Sequence, residues 1–476
     1  MNKFYITAAI PYVNAKPHIG HALELVEADT VARYHKLLGD DTLLLSGGDE
    51  NALKNVQAAE KAGQPIQEFI DENNQKFIEL THKLGCNYDI WQKGSDQKTH
   101  FPSSQKLWGL CEKDIYKKKY KGLYCVGCET FYEKEELNEN GECFEHPGKK
   151  LDEVEEENYF FSLKKYQDDL IQLIDSDTLE IVPNERKNEV LSFLKSGLQD
   201  ISISRSNERA KNWGVPVPND STQRQYVWFD ALNVYQSGIG FGWDEEKYDK
   251  WWPADLHVIG KGIIRFHAVY WPAFLLSAEL KLPKKLFVHG YYTVNGQKMS
   301  KTIGNVYDPV PLLEKYGADP LRYYCLAKTP PFMDGDFSEE KFVEAYNSDL
   351  ANGLGNLIAR VAKLAERVDT RYSVFSIQYS SDNFKDIRSS LNEFRFDEAL
   401  KTIWGWISQL DQMIEKDQPW KLEGKDLEKV LAGYRENILK MATALQPFLP
   451  QTAEKVLKQY GGSTVKSEPP LFPRTK

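Results

Sequence analysis

The stretch Ile6-Thr7-Ala8-Ala9-Ile10-Pro11-Tyr12, running on into Pro17-His18-Ile19-Gly20-His21, decides how the rest of the chain is read. Its first part is short, apolar and closed by a proline, the pattern of a buried strand. From Ile19 the apolar residues Leu23, Val26, Val31, Tyr34 and Leu38 recur near helical spacing, and Gly39 ends the run. Two histidines three residues apart therefore stand where a strand turns into a helix. Residues at i and i+3 share a helix face, so both imidazoles can meet one anion lying over the helix N-terminus. Gly20 between them has no Cβ and lets a flat ring approach the backbone.

Working outward, Thr42-Leu43-Leu44-Leu45-Ser46 reads as a second strand, ending in Gly47-Gly48-Asp49-Glu50-Asn51 at the edge where such sheets bind ligands. Asp49 there either caps the following helix or receives a substrate ammonium. Residues 1–112 alternate strand and helix as the first half of a nucleotide-binding α/β domain. Residues 113–225 break that alternation and read as an insertion. It contains Cys125-Val126-Gly127-Cys128 and Cys143-Phe144-Glu145-His146, three thiols and an imidazole spaced as a closed tetrahedral zinc knuckle. Residues 226–310 resume the α/β pattern and end in Val294-Asn295-Gly296-Gln297-Lys298-Met299-Ser300-Lys301, where two lysines and a serine follow an Asn-Gly turn. Two histidines and two lysines together could neutralise a triphosphate as its α-phosphorus is attacked. Residues 311–340 read as a stem or linker. From 341 to 476 long amphipathic helices dominate, with Phe342, Ala345, Leu350, Leu354, Leu357 and Val361 at helical spacing. The end, from Gly461 on, is expected to fray.

At 476 residues the chain has room for about two to four domains. Its net charge of −10 argues against wholesale coating of nucleic acid. Basic and acidic residues nearly balance from Lys341 onward, so the remainder carries the whole of that negative charge. Such a tail is compatible with RNA contact through local patches. The acidic run Asp152–Glu157 reads as a solvated surface. The cysteines do not form a disulfide framework by their spacing, and Cys86, Cys111 and Cys325 are expected to be small buried hydrophobes. No apolar run reaches the length of a membrane span and the N-terminus enters a strand at once, so the expectation is a cytoplasmic protein.

His18-Ile19-Gly20-His21 and Lys298-Met299-Ser300-Lys301-Thr302 resemble the two signatures of the class I aminoacyl-tRNA synthetases, His-Ile-Gly-His and Lys-Met-Ser-Lys-Ser. Further segments resemble the methionyl-tRNA synthetases of that class over nearly the whole chain. These are Ala9-Ile10-Pro11-Tyr12-Val13-Asn14, the cysteine insertion, Tyr226-Val227-Trp228-Phe229-Asp230-Ala231, Gly260-Lys261 with Phe266-His267 and Trp271-Pro272, and His289-Gly290-Tyr291. The resemblance implies an α/β, Rossmann-type catalytic domain with a zinc-knuckle insertion, followed by an all-α anticodon-binding bundle. It implies activation of methionine with ATP and Mg²⁺ to the adenylate, then transfer to the 3′ end of tRNA(Met).

By position, Ile10, Tyr12, Trp228, Leu232, Tyr235 and His267 would line the methionine pocket, with Asp49 on the ammonium. ATP would be held by His18, Gly20, His21, His289, Lys298, Ser300 and Lys301. Of these, His18, His21, Lys298 and Lys301 would be the catalytic groups, stabilising charge on the phosphates. No general base is needed, because the attacking carboxylate is already ionised. Cys125, Cys128, Cys143 and His146 would hold one structural Zn²⁺ per chain. Asn356, Arg360 and Trp420 match the residues that read the CAU anticodon. With no dimerising segment after the bundle, the expectation is a monomer.

Three positions depart from the family pattern: Asn51 replaces a histidine, Gly262 replaces the aspartate of Gly-Lys-Asp that is associated with ATP ribose recognition, and Thr302 replaces serine. Other class I synthetases remain alternatives, although the isoleucine, valine and leucine enzymes carry a larger editing insertion and the cysteine enzyme grips its substrate with zinc. A regulator that binds tRNA without catalysing, or a small-molecule adenylyltransferase, are the readings from other classes.

Overall fold

Apolar runs without polar alternation, such as Tyr5-Ile6-Thr7-Ala8, belong in a parallel sheet covered on both faces. The computed structural model, which describes residues 2–128, 130–132, 134–143, 148–299, 304–368, 372 and 378–474, places them there. Its main sheet has six parallel strands. They lie in the order β3 (Ile90–Lys93), β2 (Asp41–Gly48), β1 (Lys3–Ala8), Leu256–Gly260, Lys285–His289 and Glu180–Val182. Side chains alternate across this sheet. Ile6, Ala8, Leu44, Val258 and Phe287 enter one apolar core, while Tyr5, Leu45, Ile259, Leu286 and Val288 enter the other.

Helix α1 (Ile19–Leu38) follows β1 and covers the first of these faces. It starts at His18 and stops at Gly39, whose φ of 91° lies in the left-handed region that glycine adopts without strain. Helices α2 (Leu53–Ala62) and α3 (Ile66–Lys83) complete the crossover to β3. The same core continues through the C-terminal helices Lys385–Asn392, Phe396–Asp417, Gly424–Leu445 and Pro450–Gly461 as far as Phe472.

Between the two groups of sheet strands, Ile115–Cys125 and Asp152–Phe161 form a long antiparallel hairpin. The acidic run expected as solvated surface is on its second strand, mostly exposed, with Lys119 opposite Glu157 and Lys121 opposite Glu155. The segment read as an insertion also returns to the main sheet, because Glu180–Val182 pairs in parallel with Lys285–Phe287 at its edge. The terminal stretch expected to fray packs instead: Val465 and Phe472 are buried, and Tyr346 Oη donates to the Pro473 carbonyl at 2.7 Å. Cys86, Cys111 and Cys325 are buried free thiols, as expected. Among the described residues no helix is long and apolar enough to cross a membrane.

Candidate active site

Strand order reverses between β1 and Leu256–Gly260, the point at which an open α/β sheet leaves a crevice beyond its carboxyl ends. A cavity of about 320 Å³ lies there. It brings together Ile10, Tyr12, His18, Gly20, His21, Trp228, Leu232, Tyr235, His267 and His289 from distant parts of the chain. Glu24, Ile263, Tyr291 and Met299 line it too.

One corner is built by the start of α1. The Gly20 N–H donates to His18 Nδ1 and the His18 N–H donates to His21 Nδ1, both at 3.1 Å, so the two imidazoles cap the helix reciprocally. Each ring then carries its proton on Nε2 when neutral. The rings stack with centroids 3.8 Å apart. A Cβ on Gly20 would lie 3.1 Å from the His18 ring and 3.2 Å from Met299 Cε. Met299 thus brings the lysine loop against the helix N-terminus. The backbone of Lys298 is described, on the short strand Gln297–Lys298. Ser300, Lys301 and Thr302 lie outside the described residues.

A second end is aromatic. Trp228 stacks on Phe266 with centroids 3.6 Å apart, and Tyr12 meets Trp228 edge-on at 6.2 Å. His267 sits on a widened helical turn, Phe266–Tyr270. Its Nδ1–H donates to the Ile263 carbonyl at 3.0 Å, and its Nε2 accepts from Tyr235 Oη at 2.8 Å. Burial lowers the pKa of His267 to about 4, so the ring is neutral and adds no charge to this end.

Asp49 follows β2 and is not in the cavity lining, but stands beside it, bridged to Tyr12. Its N–H donates to the Pro11 carbonyl at 2.9 Å, and Asn55 Nδ2 donates to its carbonyl at 2.8 Å. Asn51 ties this loop to the helix Val227–Leu232, donating to Asp230 Oδ2 and to the Gly94 carbonyl, each at 2.8 Å. Burial pushes the Asp230 carboxyl well up, against the Asn51 hydrogen bond and the Arg205 charge.

At the third end His289 places Nδ1 2.7 Å from the Gly290 carbonyl and Nε2 2.9 Å from Glu24. Burial alone would lower its pKa. The charges of Glu27 and Glu24 and the Gly290 carbonyl raise it to about 9, and the ring is a cation at neutral pH. Glu24 lies three residues after His21 on the same helix face, a spacing that points to it; Tyr291 stands in the segment His289-Gly290-Tyr291, but the sequence gives it no role.

Cys125, Cys128 and Cys143 converge within 4.8 Å of one another, with Sγ separations from Cys143 of 3.3 Å to Cys125 and 3.7 Å to Cys128. Tetrahedral Zn–S bonds of about 2.3 Å require sulfurs about 3.8 Å apart, so the three thiols fit such an ion. His146 lies outside the described residues. The cluster abuts the aromatic end: Trp228 Nε1 donates to the Cys128 carbonyl at 3.2 Å. Lys54, over the Tyr12 ring, donates to the Gly127 carbonyl at 2.9 Å. Asn356, Arg360 and Trp420 belong to the helical tail and not to the cavity lining. Asn356 and Trp420 are exposed, whereas Arg360 is held by Asp411 and by Glu415 at 3.0 Å.

Comparison with known proteins matches residues 4–362 to the family described as tRNA synthetases class I (M). The methionine–tRNA ligase of Thermotoga maritima is 42% identical over 96% of this chain and 75% of its own length. That of Brucella suis is 38% identical over 99% of this chain and 98% of its own. The solved structure of Mycobacterium tuberculosis methionyl-tRNA synthetase in complex with methionyl-adenylate superposes with a TM-score of 0.92 at 35% identity, covering 100% of both chains.

Proposed function

We infer the working of the site from the premise that the chain belongs to the methionyl-tRNA synthetases of class I. It is a methionine–tRNA ligase: it activates methionine with ATP and charges tRNA. The residue roles are our own reading. The observation that carries them is one cavity lined by paired imidazoles at a helix N-terminus, by Met299 of the lysine loop, and by an aromatic end.

The aromatic end suits a thioether, which is apolar and polarisable and packs against ring edges and faces. Ile10, Tyr12, Trp228, Leu232, Tyr235 and the neutral His267 hold it there, and Asp49 takes the ammonium. The substrate carboxylate then points to the α1 corner, where His18, His21, Lys298 and Lys301 stabilise charge gathering on the α-phosphate and the departing pyrophosphate. Gly20 and Ser300 let the nucleotide lie close, and His289, held by Glu24 and the Gly290 carbonyl, offers its ring at the same cavity. Mg²⁺ bound with ATP would add neutralisation of the phosphates.

Zn²⁺ on Cys125, Cys128, Cys143 and His146 would supply a closed structural clasp behind Trp228. In a Cys125→Ser/Cys128→Ser protein, metal analysis should find zinc falling towards zero, and unchanged zinc would sink this ligand set. In the tail, Asn356 and Arg360 offer hydrogen bonds to the splayed bases of a CAU anticodon and Trp420 a stacking face. The monomeric state and cytoplasmic location belong to the same reading.

Methionine-dependent exchange of pyrophosphate into ATP tests the activation step without tRNA. The unmodified protein should exchange, and Lys301→Ala should lose at least about a hundredfold in rate, the order expected when one preorganised charge contact is removed. Full activity in Lys301→Ala would remove the lysine loop from the mechanism.

A further inference from the structure

The third end of the cavity is the one the reading above leaves without a described partner. The aromatic end takes the amino acid and the α1 corner the phosphates, so the nucleoside must leave towards Gly260, Glu24, Gly290 and Tyr291. Gly260 ends one strand and Gly290 and Tyr291 follow its parallel neighbour, with Glu24 lining the same end from α1. Beyond such strand ends ribose hydroxyls meet polar side chains in folds of this kind.

Strand register explains what is found there. Gly260 pairs with His289, so residues 262 and 291 sit side by side, two positions past the paired ends. The Gly262 N–H donates to Tyr291 Oη at 2.7 Å. A Cβ on residue 262 would lie only 1.9 Å from that oxygen and 3.1 Å from Cζ. Any side chain at 262 and the Tyr291 phenol therefore exclude one another, and this chain has kept the phenol. Its place is braced from behind. Asp334 accepts the Tyr291 backbone N–H at 2.9 Å and pairs with Lys261 at 2.8 Å, while the Lys261 ammonium lies 5.3 Å from the phenol ring centre.

We propose that the Tyr291 hydroxyl, standing where a side chain on residue 262 would otherwise project, hydrogen-bonds the ribose of ATP and of the adenylate. A phenol suits a vicinal diol, since it can donate to one hydroxyl and accept from the other. The inference rests on the methionine-activating function given above.

Pyrophosphate exchange with ATP, 2′-deoxy-ATP and 3′-deoxy-ATP tests it. The unmodified protein should favour ATP over at least one deoxynucleotide by about five- to tenfold in kcat/KM, the worth of one neutral hydrogen bond. In Tyr291→Phe the KM for ATP should rise by a similar factor, the KM for methionine should stay unchanged, and the preference should vanish. Gly262→Ala is an independent arm, because its methyl group must swing the phenol aside while leaving the fold otherwise intact. It should reproduce the loss with an unchanged melting temperature. Discrimination retained in both variants, or absent from the unmodified protein, overturns the proposal. If the unmodified protein shows no exchange with methionine, the function fails first; calorimetric titration with ATP and the two deoxynucleotides then decides the ribose contact by itself.

Discussion

His289 holds Nδ1 against the Gly290 carbonyl and Nε2 against Glu24, two acceptors that an imidazole can satisfy together only by carrying both protons. Glu27, itself buried and raised to about 8 by that burial against the pull of His289, lies on the same helix. Because the folded pKa of His289, about 9, lies above its ordinary value of 6.5, its stabilising contribution is fully present below pH 6.5 and is lost as pH rises through 9. His289→Gln should therefore flatten the fall in melting temperature between those limits, and parallel curves for the two proteins would contradict the assignment. At this scale much of the site was legible. His18 and His21 declared themselves by spacing, and Trp228 and His267 by resemblance. Tyr291 did not, because its closeness to Gly262 is a product of strand register, which no local pattern records.

Helix Ala318–Ala327 carries a buried arginine that ties α1 to the tail. Arg322 is fully buried, pairs with Asp29 of α1 at 2.7 Å, and donates to the carbonyls of Phe448 at 2.8 Å and Pro447 at 3.0 Å. Removing one partner of such a pair leaves a charge without compensation in a dry interior. Arg322→Ala should cost about 3–5 kcal/mol in urea denaturation, and a cost below about 1 kcal/mol would show that Arg33, also on Asp29, carries the charge alone. The amphipathic helices were readable because their periodicity runs for many turns. The strand Glu180–Val182 was not, since three residues are too few to display a period, and it earns its place by pairing with Lys285–Phe287.

On the scale of the whole molecule, two apolar cores lie back to back across one sheet, and one of them is shared with the helical tail. The division of the sequence by composition could not reveal that sharing, because amphipathic helices record that they have a buried face and not what covers it. Likewise the stretch after Gly461 carries turn formers, yet Phe472 among them docks against Tyr346 with ring centroids 6.2 Å apart. The order of strands has a consequence for how the chain is made. β1, in the middle of the sheet, bonds on one side to β2 and on the other to Leu256–Gly260. A ribosome delivers the first partner soon after β1 and the second only after some 200 further residues, which at about 5–20 residues per second leaves β1 an open strand edge for 10 s or more. During that interval the nascent chain exposes the kind of edge on which neighbouring chains can add strands. Until Leu256–Gly260 has emerged, this edge cannot take its native partner.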